Sequence, residues 1–199
     1  MAKRTTRSNG RASRRQILEA ATELAAERGY EGTSISAVSK RSGLPASSIY
    51  WHFANKDDLF AALIDDSYER WLNELGEHTD GAGGTFERMY ASLAACPDFV
   101  RLGLMITLEQ APHGADRSAR TRFLEIRRES LDRLAGILAH QYPDLDADQS
   151  AALSSITLAL IDGTFVASVA GEDPPPPSLL SNAIGWLAGA MADNTVRTR

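Results

Sequence analysis

Apolar side chains recur along this chain at intervals of three and four residues, the spacing of one face of an α-helix. No convincing alternating run of β-branched residues is present, so the pattern predicts an all-α protein of about nine helices. Ile17, Ala20, Ala21, Leu24 and Ala25 form the first stripe, over a helix from about Ser13 to Arg28. Glu19, Glu23 and Glu27 take its opposite side, and Gly29 is the natural stop. In the next segment Thr33 or Ser34 is a ready N-cap, Ile35 and Val38 make a short stripe, and Gly43 breaks it. Leu44 and Pro45 then lead into a third short helix, Pro45 being suited to a first-turn position that needs no amide donor. Two short helices joined by a tight Gly-containing turn are the signature of a helix-turn-helix.

Beyond Lys56 a long helix is expected from near Asn55 to about Leu75, with Asp57 and Asp58 in its first turn favouring the helix dipole. The Gly-rich run from Thr79 to Gly84 reads as a loop. Further helices are expected over Thr85 to Cys96, Asp98 to Gln110, Asp116 to Gln141 and Ala147 to Ala170, separated by Pro97, by Pro112 with Gly114, and by Tyr142 with Pro143. Pro174 to Pro177 form a stiff extended connection to a last helix, about Ser178 to Asp193. No internal repeat has a fixed period.

One stretch stands out, Ser47 to Lys56, "SSIYWHFANK", because four consecutive aromatic or imidazole side chains fall in a chain with few of them. Helical periodicity divides it. Ala46, Ile49 and Phe53 share one side, and Ile49 and Phe53 are core, packing under Ile35, Val38 and the first helix. Ser47, Ser48, Trp51 and His52 spread over the other side, with Tyr50 at the border. This outer set is either a partly exposed aromatic rim or a nucleic-acid surface. In the second case the small Ala46, Ser47 and Ser48 let the helix enter a major groove about 12 Å wide, while hydroxyl, indole, imidazole and Lys56 meet phosphates.

Charge sharpens that choice. The net charge is -5, yet residues 1 to 56 hold ten Lys or Arg against four Glu, while the remainder holds eleven against twenty-two acids. A local basic block is the electrostatic footprint that matters for phosphate binding. A solvated basic tail would carry the same charges. The single cysteine, Cys96, allows no intramolecular disulfide and no multi-cysteine metal site, and with no secretory signal pattern the cytoplasm is the expected compartment. The apolar run Ala151 to Gly171 has the length of a membrane span. Asp162 at its centre would cost roughly 3 kcal/mol in a bilayer, so a helix buried against protein is expected. No HExxH, GxSxG, Walker or Rossmann pattern occurs, and His52, His78, His113 and His140 lack metal-ligand spacing, so neither an enzyme nor a cofactor or metal is expected.

Residues 17 to 64, notably "GTSISAVSKRSGLPASSIYWHFANKDDLFAALI", resemble the N-terminal DNA-binding domain of the TetR family of bacterial repressors. The matching features are Thr before helix two, Gly in the turn, an aliphatic residue then Tyr, a Phe beyond it, and a Lys opening helix four. The resemblance implies phosphate contacts for Thr33, with Ser34 beside it, and for Tyr50, His52 and Lys56. It implies approach to bases or adjoining backbone for Ser36, Pro45, Ala46, Ser47, Ser48 and Trp51. Pro45 stands where Ser or Thr often caps helix three, and Ser39 and Ser42 stand where Ala is usual. Lys3, Arg4, Arg7, Arg11, Arg14 and Arg15 could form an arm tracking a groove. The expected organisation is a flexible basic arm over 1–12, the helix-turn-helix domain over 13–56, and a ligand-binding and dimerisation domain over 57–199.

A helix-turn-helix monomer reads only a few base pairs, so a specific reader is expected to dimerise on a palindromic operator. The last two helices offer broad apolar faces for this, Leu153, Ile156, Leu160, Thr164 and Ala167 on one, and Leu179, Ala183, Trp186, Leu187 and Ala190 on the other. The resemblance implies a four-helix interface built from them. It also raises the expectation that some of Trp71, Met89, Leu93, Phe99, Leu102, Met105, Ile106, Phe123 and Ile126 line a pocket for a small-molecule inducer. Aromatic and Met residues at helical spacing are individually more often plain core. Glu109 or Asp162, if facing that pocket, would select a cation. The reading is therefore a ligand-responsive repressor of transcription, with a non-sensing, architectural DNA-binding protein as the alternative.

Overall fold

The computed structural model describes residues 3–77, 85–108 and 118–197. The described residues form α1 (Lys3–Gly32), α2 (Ile35–Ser42), α3 (Ala46–His52), α4 (Lys56–Glu77), α5 (Thr85–Ala95), α6 (Asp98–Leu108), α7 (Ser118–Gln141), α8 (Ala147–Val169) and α9 (Pro177–Arg197), with no strand among them. Two compact units result, Met1–Glu69 with Asp98–Phe123, and Arg70–Pro97 with Leu124–Arg199.

In the first unit Ile17, Leu24, Val38, Ile49, Phe53, Leu59, Phe60, Leu63 and Ile64 make a continuous set of buried apolar side chains drawn from α1 to α4. Gly29 breaks α1 as its position suggests, with φ of 72°, and one further turn carries the helix to Gly32. Upstream, α1 starts at Lys3 rather than near Ser13, so the basic segment forms its first turns. Tyr30 then packs edge-on against Phe60, 4.6 Å between centroids, tying the end of α1 to α4. Asn55 Oδ1 accepts from the Asp58 amide at 2.8 Å while Asp58 Oδ2 accepts from Ala54 N at 2.9 Å, a reciprocal cap that fixes where α4 begins. On the far side Tyr68, Phe99 and Phe123 stack in a row, at 5.1 and 5.6 Å between rings.

The second unit is built from the rest of α4 and α7 with α5, α8 and α9, and α5 and α8 both pack on α9. Asp146 caps α8 in a capping box with Gln149, whose side-chain amide donates to Met191 O at 2.8 Å. Helix α8 is long and apolar enough to cross a membrane. Here Leu153 and Ile161 are buried in protein and the Asp162 carboxylate accepts from Arg127 Nη2 of α7 at 2.5 Å. After Gly171 the prolines run without helix until Pro177 opens α9 in the first-turn position that tolerates a missing donor.

Two glycines of helix interiors differ in purpose. A Cβ on Gly103 of α6 would collide with the Phe123 ring, whereas one on Gly136 of α7 would meet nothing within 4 Å. Gly103→Ala should therefore cost about 1–3 kcal/mol through overpacking. Gly136→Ala should add about 0.5–1 kcal/mol through helix propensity. Chemical denaturation of both variants checks the pair, and equal effects would refute the packing role of Gly103.

Candidate nucleic-acid interface

A helix of seven residues cannot hold itself together in water, so α3 must be fixed from outside. Ile49 is fully buried and Phe53 nearly so, one turn apart, and they clamp α3 to the head. The turn before it is equally determined. Gly43 takes φ of 71°, a left-handed conformation that suits glycine, with open space where a Cβ would be. Ser39 Oγ donates to Leu44 O at 2.7 Å, Ser42 Oγ accepts from Leu44 N at 3.3 Å, and Gln16 Nε2 donates to Ser42 O at 2.6 Å. Ser39 and Ser42 thus satisfy the backbone of the turn. Arg41 crosses from α2 to α1, with Glu27 at 2.8 and 3.0 Å and Glu23 at 3.0 Å, and this contact holds the Glu27 carboxyl below its ordinary range.

Clamped in this way, α3 turns its other side outward. Ser47 and Pro45 are exposed, Ala46 and Ser48 half-buried, Tyr50 is 58% exposed and Trp51 75%. Pro45 occupies the N-cap of α3 and offers no side-chain cap. Ser34 is the N-cap of α2, its Oγ accepting from Ala37 N at 3.2 Å, and it lies 2.9 Å from the hydroxyl of exposed Ser36. The structure thus brings Ser34, Ser36 and the outer residues of α3 onto the head's surface.

Thr33 departs from the expectation. It is fully buried, and its hydroxyl donates to Gly29 O at 2.8 Å, so its side chain secures the corner between α1 and α2 instead of facing a phosphate. Lys56 has a double engagement: Nζ lies 3.9 Å from the centre of the Tyr30 ring and 3.7 Å from the Glu31 carboxylate. A phosphate would have to displace only Glu31, because the ring contact leaves ammonium donors unused. His52 is half-buried, edge-on to Trp51 at 4.6 Å. Burial, and secondarily the nearby Arg14 charge, hold its imidazole below the ordinary histidine value.

Sequence reasoning missed Asp57 as a junction. This buried carboxylate accepts from Tyr30 OH at 3.1 Å, Ser118 Oγ at 2.5 Å and Ala119 N at 2.9 Å, joining the end of α1, the first turn of α4 and the first turn of α7. Its partners are 61 and 62 residues away in α7, beyond any local pattern.

The residues expected to bind an inducer divide between the units. Phe99, Leu102, Met105, Ile106 and Phe123 belong to the first, Trp71, Met89, Leu93 and Ile126 to the second, and all are buried except half-buried Met105. Glu109 lies outside the described residues. Asp162 is committed to Arg127. A further acidic group was overlooked: Glu87 Oε2 of α5 is buried with no hydrogen-bond partner among the described residues. Of the residues expected at a dimer interface, Leu153 and Thr164 are instead in the single chain's own core, Thr164 donating to Ile161 O at 2.8 Å. Ile156, Leu160, Ala167, Ala183 and Leu187 are half-buried, and Leu179, Trp186 and Ala190 exposed, Trp186 at 84%. Val166 and Val169 add to this exposed apolar set. Because α8 is apolar on all sides, its period could not tell the inner stripe from the outer one.

Residues 17–63 match the family model of the bacterial regulatory proteins of the tetR family. TtgR, an HTH-type transcriptional regulator of Pseudomonas putida, is 36% identical over 66 residues, 33% of this chain and 31% of its own length. The HTH-type transcriptional repressor AcnR of Corynebacterium glutamicum is 35% identical over 66 residues, 33% of this chain and 35% of AcnR. The matched segment thus spans about a third of each of these relatives. The crystal structure of the transcriptional regulator FadR from Bacillus subtilis in complex with stearoyl-CoA has the same fold over 87% of this chain and 96% of that one, with a TM-score of 0.63 and 22% identity. Over residues 17–63 the chain is therefore similar to the bacterial regulatory proteins of the tetR family.

The position of His52 has a measurable consequence. Its folded-state pKa is lowered, so protonation favours the unfolded chain. This contribution to stability is complete above the unfolded histidine value of about 6.5 and is lost as the pH falls through it. Between pH 7.5 and 5.5 the thermal midpoint should fall further in the wild type than in His52→Gln. Parallel decreases would show that His52 is not the group responsible.

Proposed function

We propose that this chain is a cytoplasmic, ligand-responsive transcriptional repressor that binds a palindromic DNA operator as a dimer and is released by a small-molecule inducer. One observation carries the reading: within the segment matching the family, α3 is anchored by Ile49 and Phe53 while Ser47, Tyr50 and Trp51 stand bare on its outer side. A short helix held by two inward side chains and presenting small and aromatic residues is suited to a major groove. Tyr50, His52 and Lys56 then take phosphates, with Ser34 and Ser36 at the start of α2 alongside. Serine hydroxyls discriminate bases weakly, so operator preference is shared between Ser47, Ser48 and DNA shape.

The dimer reading rests on the exposed apolar side chains of the second unit, Val166 and Val169 on α8 and Leu179 and Trp186 on α9. With half-buried Ile156, Leu160 and Leu187 they supply the apolar face that a paired four-helix interface requires. For the inducer, support comes from the fold shared with a regulator crystallised with stearoyl-CoA and from the buried Oε2 of Glu87, which has no hydrogen-bond partner among the described residues. Ligand binding favours a conformer in which α4 moves the two heads out of register, and DNA affinity falls by the ligand's differential binding energy.

The deciding measurement is binding to DNA flanking its own coding region against random DNA, at two salt concentrations. A preference of at least about a hundredfold is expected, and a smaller one would favour an architectural DNA-binding protein. Lys56→Ala should weaken binding to all sequences alike and lower the salt slope by roughly one, whereas substitutions at Ser47 or Ser48 should change the preferred sequence. Glu31→Gln should strengthen binding, since it removes the carboxylate that competes for Lys56. In sedimentation, Trp186→Asp should shift the protein toward monomer, and an unaltered dimer would place the interface elsewhere.

A further inference from the structure

Six basic residues, Lys3, Arg4, Arg7, Arg11, Arg14 and Arg15, precede the first acid of the chain, Glu19, and all lie on α1. Their spacing is not random. Positions 4, 11, 18 and 25, and positions 7, 14 and 21, repeat every seven residues and so keep to one side of the helix, within about 100° of arc at 100° per residue. At the later positions of this face the residues are Leu18, Ala21 and Ala25, all buried. At the earlier positions they are Arg4, Arg7, Arg11 and Arg14. The register of the buried positions is thus continued toward the N-terminus by arginine.

Such a stripe opposes its own helix. Like charges three and four residues apart repel, and cations near a helix N-terminus oppose the dipole. A segment that breaks these local rules marks a place where an outside partner can supply opposite charge. Two contacts give the location. The Cβ position of Gly10 lies 3.7 Å from the outer edge of the Trp51 indole, and the Arg14 guanidinium lies 5.6 Å from the centre of the Phe53 ring. Arg11, Arg14 and Arg15 are exposed, and Glu19 reaches Arg15 at 3.5 Å. The basic turns of α1 therefore adjoin the aromatic end of α3.

We propose that the first three turns of α1 are a second phosphate-binding element, a rigid helical stripe that follows the DNA backbone beside the groove entered by α3. This rests on the DNA-binding reading above. It differs from a flexible arm inserted into a minor groove, because its basic positions are spaced by the helix and act only while it is intact.

Two variants of the full chain test it, with a random-sequence DNA duplex titrated in KCl as the probe. Arg4→Gln/Arg7→Gln/Arg11→Gln should lower the slope of log K against log salt by roughly three. Ala12→Pro keeps every charge and leaves a proline at a tolerated helix start, but severs the upstream turns from the rest of α1. It should lower the slope nearly as much. An unchanged slope in the triple variant overturns the proposal. A reduced slope in the triple variant with a wild-type slope in Ala12→Pro also overturns it, in favour of a flexible arm. If the wild type binds and Lys56→Ala costs one unit of slope while both α1 variants cost none, only the stripe fails. If the wild type binds no DNA, the functional reading fails with it.

Discussion

The head depends on the burial of Ile49 and Phe53. A seven-residue helix loses more conformational entropy than its few internal hydrogen bonds return, so the exposed outer side of α3 exists only because its inner side is clamped. Everything around it serves that clamp. Gly43 sets the turn, Ser39 and Ser42 satisfy its backbone, Arg41 pins α2 to α1, and Thr33 closes the corner with its hydroxyl turned inward. The proposed DNA contact would benefit from this pre-organisation, since phosphate contacts at fixed spacing reward groups that are already held in place.

Asp57 extends the same constraint. Its carboxylate gathers the Tyr30 hydroxyl and the hydroxyl and amide at the start of α7, so the end of α1 and the beginnings of α4 and α7 share one buried acceptor. A buried carboxylate is tolerable when its lone pairs are used, and three donors from two other helices use them. Any motion of α7's first turn is felt at Asp57, one residue from Lys56. The row formed by Tyr68, Phe99 and Phe123, fitted against Gly103, makes the packing of α6 against α7 equally unforgiving of displacement.

Much of the helical layout was legible because its signals are local. Pro97, Gly43 and Pro143 lie at or next to the breaks they were expected to mark, and the split of "SSIYWHFANK" into buried Ile49 and Phe53 with exposed Tyr50 and Trp51 follows from the helical period alone. Where the sequence misled, it did so for identifiable reasons. The start of α1 was set too late, since a run of arginines reads as a solvated tail until its heptad register with Leu18 and Ala25 is seen. Thr33 was taken as a surface group, though either of two neighbouring hydroxyls could have capped α2 and Ser34 does so.

By itself the sequence determined the fold class, the helix-turn-helix and the division of α3 into an anchor and a face, because each depends on residues within a turn or two of one another. Only the tertiary structure decided which side of the uniformly apolar α8 is inside, that Asp162 pairs with Arg127, that Gly103 makes room for Phe123, and that Asp57 joins three helices. Those outcomes depend on partners tens of residues away, brought together by packing, and a helix without an amphipathic stripe carries no local record of which neighbour it meets.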